Sequence, residues 1–206
     1  MCLIYPTYFP NISNYIVFVN QEIVCFEVQD NYQKQTYRNR CYIYSANGEL
    51  GLHIPIHFTQ NKRQMTREVL IDNSSSWKKK HWKSIESAYK TSPFFEFYED
   101  DIKPLFEKKH KFLLDYNMEC IQKINECLEL NLDYKLSTGY MRKINDNDFR
   151  FLAKKSKIKL DTYPYLQVFK AKHGYLPNLS ILDLLFNLGP ESTSYLINHP
   201  IIKLPN

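Results

Sequence analysis

The sequence predicts an α/β fold. It reads as one domain over residues 1–206, with a mixed β-sheet flanked by helices, a β-hairpin around Asn47 and Gly48, and a helical C-terminal half. Three observations carry that expectation. The chain opens with a strand-like run, a helix-like run and a second strand-like run, an order that yields a parallel pair joined by a right-handed crossover. An Asn-Gly dipeptide then separates two β-rich runs, which is a hairpin signal. After Asp72, apolar residues recur at helical spacing.

Residues 2–5 (CLIY) form a short apolar run stopped by Pro6, and are predicted as the first strand. Residues 11–20 (NISNYIVFVN) make a helix for which Asn11 or Ser13 supplies the N-terminal cap. Residues 22–28 (EIVCFEV) are β-branched and aromatic, as in a buried strand. RCYIYSA and LGLHIPI flank the turn Ala46-Asn47-Gly48-Glu49, whose two central positions, Asn47 and Gly48, are expected to take φ > 0. Residues 66–71 (TREVLI) add a strand. Residues 74–76, all serine, cap a helix starting at Trp77, in which Trp77, His81, Ile85 and Tyr89 share a face at i, i+4 spacing.

A further helix is predicted to open at Asp100 and Asp101, with Pro104 in its first turn, and to run through Leu105, Phe112, Leu113, Tyr116, Cys120, Ile124 and Leu128. A short strand is expected at 134–137 (YKLS). Residues 141–160 are lysine-rich with little periodicity, which predicts an exposed, mobile connection. Past YPYLQVF, a final helix runs from about 180 to 187 and ends at Gly189 and Pro190. There is no internal repeat and no linker composition.

Composition bounds the function. A chain of 206 residues suits a single core, since cores stop growing at roughly 250 residues. Aromatic residues reach 15% (16 Tyr, 13 Phe, 2 Trp) against only 5 Gly. Tyrosine serves an apolar surface that must also hydrogen-bond, such as a sugar or nucleotide pocket, and serves a core equally well. The net charge of +5 and isoelectric point near 8.8 permit an anionic ligand or a carrier-protein surface without demanding nucleic acid. No run reaches the roughly 18 apolar residues of a membrane span. The N-terminus has no basic region and its apolar run is broken by Pro6 and Pro10, so no signal peptide is read and a cytoplasmic location is expected. The 5 cysteines form no CxxC pair, so reduced thiols and no zinc site are expected. Cys41, beside Arg40, has either a lowered pKa or a plain strand role. GxGxxG, Walker, GxSxG and HExxH patterns are missing from the sequence, and no cofactor is expected.

Three segments carry candidate chemistry. In QDNYQKQTYRNRCYI (29–43), Asp30, Tyr32, Lys34, Thr36, Tyr37, Asn39 and Arg40 follow a buried strand. The carboxyl end of a parallel strand is where open α/β sheets bind ligands. There Lys34 and Arg40 would hold a phosphate, pyrophosphate or carboxylate, Arg40 through a two-point fork, and Asn39 would donate to a developing oxyanion. A basic edge strand feeding the hairpin accounts for the same pattern. In WKKKHWKSIESAY (77–89), His81 lies on an apolar face, where desolvation favours a neutral base; a core histidine held by one hydrogen bond is the alternative. Lys78, Lys79, Lys80 and Lys83 form a solvated face or a dock for an acidic carrier protein. In KHGYLPNLSILDLLFNLGP (172–190), Ser180 and Asp183 have capping-box spacing and His173 precedes a helix-ending glycine. Yet His173, Asn178 and Asp183 are polar groups beside an apolar helix, and a carboxylate that orients a histidine is half of a catalytic pair.

Together these segments resemble the WbqC-like family, bacterial proteins often encoded among genes for surface-polysaccharide synthesis, over residues 3 to 197. A K-x-[ST]-aromatic-x-N-R pattern stands here as Lys34, Thr36, Tyr37, Asn39 and Arg40, and a W-x-x-x-H-W helix as Trp77, His81 and Trp82. The resemblance implies a glycine transferase that attaches an aminoacyl group to an amino sugar of a surface polysaccharide. It implies His81, His173, Asp183 and Asn39 as catalytic residues and Lys34, Arg40, Tyr37 and Asn178 as substrate- or phosphate-binding ones. The partners implied are a nucleotide-linked amino sugar and an acyl or aminoacyl carrier protein. One departure matters: many members carry His-Gln-Pro after the first strand, whereas this chain has Ile4-Tyr5-Pro6-Thr7, and neither Tyr5 nor Thr7 is a base at neutral pH. Two other classes stay open, a nucleotide-transfer enzyme that cradles its ligand on PTYFP, and a non-catalytic sugar- or carrier-protein-binding module.

Overall fold

Cys2, Leu3 and Ile4 are fully buried, so the first strand is covered on both faces. The computed structural model describes residues 1–57, 63–142, 147–155 and 162–200. In it β1 (Cys2–Ile4) pairs in parallel with β2 (Val24–Phe26), as the opening pattern predicts. β2 also pairs in parallel with β7 (Tyr134–Leu136), giving the order β1-β2-β7. Beyond β1, Leu3 makes a parallel bridge to Asp148, through Leu3 N to Asn147 O at 2.9 Å and Phe149 N to Leu3 O at 2.8 Å. β1 and β2 are thus interior, and both consist of β-branched, aromatic or small apolar residues suited to two-sided burial.

The crossover is α1 (Ile12–Val19), capped by Asn11, whose Oδ1 accepts from Asn14 N at 3.1 Å. Residues from Ile12 to Phe18 are all buried, the polar Ser13 and Asn14 among them, so this helix lies inside the domain. The hairpin comprises β3 (Arg40–Ser45) and β4 (Gly48–His53), antiparallel with Tyr42 opposite Gly51. Its turn differs from expectation. Only Gly48 is left-handed, at φ 95°, while Asn47 is not among the positive-φ residues. Ser45 explains the shift: its hydroxyl donates to Gly48 O at 2.8 Å and accepts from Asn47 N at 3.3 Å. The loop therefore closes on Ala46 and Asn47, and the left-handed residue follows it.

The strand expected at 66–71 is mostly a 3-10 turn, Thr66–Glu68, with β6 (Leu70–Ile71) paired to β5 (Ile56–His57). Asp30 prevents extension by taking Thr66 N at 2.9 Å on its carbonyl and Thr66 Oγ1 at 2.6 Å on its carboxylate. α2 (Trp77–Tyr89) buries Trp77, His81, Ile85 and Tyr89 as predicted, though Ser76 makes no side-chain cap.

The long helix expected from Asp100 to Leu128 is two helices. α3 (Phe95–Ile102) ends where Pro104 opens a 3-10 turn, and α4 (Leu113–Cys127) starts afresh. Pro104 lacks an N–H for the helical ladder. The carbonyls freed at this break are taken by Lys78, which donates to Leu105 O at 3.0 Å and to Lys108 O. Lys78 is thus no part of a solvated face.

The connection expected at 141–160 is also corrected where it is described. Residues 143–146 and 156–161 lie outside the described residues, but between them Phe149, Leu152 and Ala153 are buried around a 3-10 turn, Arg150–Ala153. Flanking lysines hid a short apolar anchor. α5 (Lys170–His173) is a single turn that YPYLQVF leads into, and α6 (Ile181–Leu188) ends at Gly189 with φ 55°. α6 is not the last helix. Pro190 caps α7 (Glu191–Ile197), a position where its missing N–H costs nothing. The α/β class holds, with parallel and antiparallel pairing divided among three small sheets of the described residues. No helix among the described residues is long and apolar enough to cross a membrane.

A Cβ at Gly48 meets nothing within 4 Å, so substitution there tests conformation alone. Gly48→Val should lower stability by about 1 kcal/mol or more, and Gly48→Asn by less, because Asn tolerates the left-handed region. Equal urea midpoints for the parent and both variants would refute the turn assignment.

Candidate functional site at the carboxyl ends of the parallel strands

Each parallel strand ends on a polar or phenolic residue at the same edge of the sheet: Tyr5 after β1, Glu27 after β2 and Ser137 after β7. Glu27 is fully buried. Its Oε1 accepts from Ser137 Oγ at 2.7 Å and Gln29 N at 2.8 Å, and its Oε2 from Met141 N at 2.8 Å. Arg150 Nη1 lies 3.8 Å from Glu27 Oε2 and donates to Met141 O at 2.7 Å. The rest of that guanidinium grips Asp148 as a fork, Nε at 2.9 Å and Nη2 at 2.6 Å, and this pairing holds its pKa above the ordinary arginine value.

Arg38 is the second cation, with only 1% of its surface exposed. Nη2 donates to Asp30 Oδ2 at 2.5 Å and Nη1 to Thr36 Oγ1 at 3.4 Å. Its guanidinium lies 3.7 Å over the Tyr5 ring, and that of Arg150 5.9 Å from the same ring. Tyr5 is therefore wedged between two arginines. Burial, with the charge of Asp30, pushes its phenol up to about 12, so it stays a neutral hydroxyl. From α4, Asn117 Nδ2 donates to Arg38 O at 2.7 Å and Pro6 O at 3.3 Å and ties this corner to the core.

Three of the predicted site residues meet beside this cluster, around His53 and Ile54. Arg40 stands opposite His53 on the hairpin. Asn39 exchanges two hydrogen bonds with Ile54, Ile54 N to Asn39 O at 2.8 Å and Asn39 Nδ2 to Ile54 O at 3.0 Å, so the amide donor expected for an oxyanion is engaged. His81 bonds His53 O at 3.2 Å and Tyr8 Oη at 3.0 Å. Since a carbonyl only accepts, His81 Nε2 carries the proton and Nδ1 accepts from the tyrosine. Burial pushes the imidazole down to about 4. It is neutral, as expected of a residue on an apolar face, and both its nitrogens are occupied. Three consecutive residues each hold a buried atom with no hydrogen-bond partner among the described residues: Arg38 Nε, Asn39 Oδ1 and Arg40 Nε. Native structures hold few such groups, and those that persist call for an explanation.

Lys34 is exposed on the same loop. Tyr37 is half-buried; its backbone accepts from Tyr8 N at 3.0 Å and donates to Ala153 O at 2.7 Å, and burial raises its phenol. Cys41 is buried, which pushes its thiol up rather than down. The C-terminal group behaves differently. Asp183 is fully buried and accepts from Tyr89 Oη at 2.8 Å, Tyr165 Oη at 2.5 Å and Gln167 Nε2 at 2.8 Å. Burial raises its pKa even so. His173 is exposed and meets Ala46 O at 2.9 Å; no bond joins it to Asp183 among the described residues. Asn178 accepts from Ser13 N at 2.9 Å and Ser13 Oγ at 2.6 Å, a brace for the start of α1.

Sequence reasoning passed over Glu27, Arg38, Asp148 and Arg150. Glu27 left a signal, a carboxylate in an otherwise apolar β run. Arg38 shares strand parity with Arg40 and lay in the right segment. Asp148 and Arg150 left none, since their lysine-rich surroundings conceal them.

The polar cluster gathers at the carboxyl ends of the parallel strands, the side on which open α/β sheets in general bind ligands. The family model described as the WbqC-like protein family matches residues 5–164, and the chain belongs to that family. The match takes in both arginine pairs, Arg40 and His81, and stops short of His173, Asn178 and Asp183. "Uncharacterized protein Rv1507c" of Mycobacterium tuberculosis is 26% identical over 211 residues, covering 88% of this chain and 89% of its own. No solved structure is a significant match.

His81 makes stability pH-dependent in a definite sense. Its folded pKa of about 4 lies below the 6.5 of a free imidazole, so the unfolded chain binds the proton first as pH falls. Stability should therefore drop between pH 6.5 and pH 4, by about 3 kcal/mol for this group. Urea titrations across that window should show a shallower decline for His81→Gln than for the parent; identical slopes would remove His81 from the account.

Proposed function

We propose that the chain binds an anionic small molecule at Arg40 and Lys34, beside the arginine cluster, and transfers an aminoacyl group, glycine, to an amino sugar in surface-polysaccharide synthesis. The observation that carries the binding part is the uneven neutralisation of the arginines. Arg38 is paired with Asp30, and Arg150 with Asp148 and Glu27. Arg40 has no carboxylate partner among the described residues. A guanidinium not consumed by the scaffold keeps its planar fork for a phosphate or carboxylate.

The transfer part rests on the family. An amine attacking an aminoacyl carbonyl must lose a proton, and the carbonyl oxygen must be stabilised as charge develops. Neither histidine expected as the base is poised at Arg40: His81 has both nitrogens bonded, and His173 bonds Ala46 O at the opposite end of the hairpin. Lys79, Lys80 and Lys83 remain exposed on α2 and suit an acidic carrier protein that delivers the donor.

Arg40→Lys tests the reading, since it keeps the charge and loses the fork. The expected result is a melting temperature close to the parent's and at least tenfold weaker binding of a nucleotide-linked amino sugar, about 1.4 kcal/mol. A mass-shift assay with that sugar and a glycyl donor should show glycyl addition by the parent. A fall in melting temperature with unchanged affinity in the folded fraction would move Arg40 to the scaffold.

A further inference from the structure

The hairpin has two unlike faces. Cys41, Ile43 and Leu52 point into the core, while Arg40, Tyr42 and His53 alternate with them on the outer side. Register sets Arg40 opposite His53 and Tyr42 opposite Gly51. Gly51 is what lets the outer side chains meet. A Cβ there would lie 2.8 Å from His53 Cε1 and 3.1 Å from Tyr42 Cε1, so both rings lean over the bare backbone. The two rings stand at 82° with centroids 6.4 Å apart, forming a corner rather than a closed stack. Tyr37 meets Tyr42 edge-on at 5.7 Å, which steadies the corner from the loop side. Cations border it at both ends: Arg40 on one side and, on the other, Lys155, whose Nζ lies 4.3 Å from the Tyr42 ring centroid.

We propose that this corner is a ring-binding subsite of the Arg40 anion site, taking the base of a nucleoside diphosphate whose phosphates Arg40 grips. The proposal rests on the reading of Arg40 as an anion grip. An aromatic corner beside a fork that no carboxylate neutralises is the chemistry that recognises a flat ring carrying a diphosphate. His53 is exposed, so its ring face is open to such a partner. Burial and the Arg40 charge hold its pKa below the ordinary value, with a hydrogen bond to the Gly51 backbone opposing them. The imidazole therefore meets the ligand uncharged at neutral pH. The charged and titratable groups facing it are Arg40 from β3 and His81 from α2, with the Glu49–Lys155 pair further along the face. A phosphate on Arg40 removes one cause of the depression, so the His53 pKa must rise when the site fills.

Uridine diphosphate added to the full chain, with labelled histidine and tyrosine rings, tests this by NMR and calorimetry. The His53 signals are assigned from His53→Gln. The expected result is movement of the His53 and Tyr42 ring signals together, a raised His53 pKa, and affinity at least tenfold weaker in Gly51→Ala. Because a Cβ at 51 also strains the hairpin, His53→Ala, which removes an exposed ring and leaves the backbone alone, should weaken binding to a similar degree. Pyrophosphate alone should raise the His53 pKa without the Tyr42 ring shift. Binding that leaves both rings unmoved overturns the subsite and spares the Arg40 reading. No heat of binding from uridine diphosphate or from a nucleotide-linked amino sugar overturns both.

Discussion

The burial of Arg38 constrains everything around it. It heads the largest fully buried side chains of the domain, and a guanidinium can stay there only if its charge is met. Asp30 meets it, and the pair imposes the path of the chain between β2 and β3, because Asp30 and Arg38 stand at the two ends of one loop. Asp30 reaches across to Thr66 and holds that segment in a turn. Arg38 lies on Tyr5 and so fixes the exit of β1, while Asn117 ties its carbonyl to α4. Buried ion pairs seldom stabilise more than apolar residues of equal volume. Their retention at the carboxyl edge of the parallel strands accords better with positioning than with stability.

The tyrosines make sense in the same terms. A core this rich in phenols needs partners for the hydroxyls it buries, and Tyr116 Oη is left without one among the described residues. Asp183 supplies one hub, receiving Tyr89 and Tyr165 with Gln167. Tyr89 also accepts from Tyr44 N at 3.1 Å, so a single carboxylate links α2, β3, α6 and the segment after 162. Tyr44 in turn donates to Gly174 O at 2.6 Å and seats the turn that carries His173. The web gives Asp183 a structural role, while His173 and Asn178 bond elsewhere, to Ala46 and Ser13. It also fits the matched family region ending at 164, before this segment starts.

What could be read from the sequence follows from how local each cause is. β1, α1, β2 and α2 were legible because burial pattern, cap and spacing lie within each segment. The break between α3 and α4 was less so: Pro104 was read as a helix start, although here it ends one, and the Lys78 side chain that stabilises the break comes from another helix. The anchor at Phe149 and Leu152 was invisible because its partner strand lies at the opposite end of the chain. For the site, the segment was legible and the residues within it only in part. Arg40 and Asn39 were singled out for their types. Arg38 was passed over because its role depends on Asp30 and Tyr5, which meet it only in three dimensions.

The run Ile4-Tyr5-Pro6-Thr7, where the resemblance would place His-Gln-Pro, has a physical consequence at this edge. Tyr5 cannot accept a proton near neutrality, since burial and Asp30 hold its phenol near 12. Arg38 lies 3.7 Å over its ring and Arg150 5.9 Å from the same ring, so it gives both cations an aromatic neighbour instead. Thr7 is fully buried and offers no base either. No residue at the exit of the first strand is therefore available as a base at neutral pH. Across the strand from Arg40, which has no carboxylate partner among the described residues, stands His53, whose pKa is lowered by burial and then by the Arg40 charge. A cation at Arg40 and a proton on His53 oppose each other electrostatically, so any change in the charge around Arg40 is felt as a change in the proton affinity of its cross-strand neighbour.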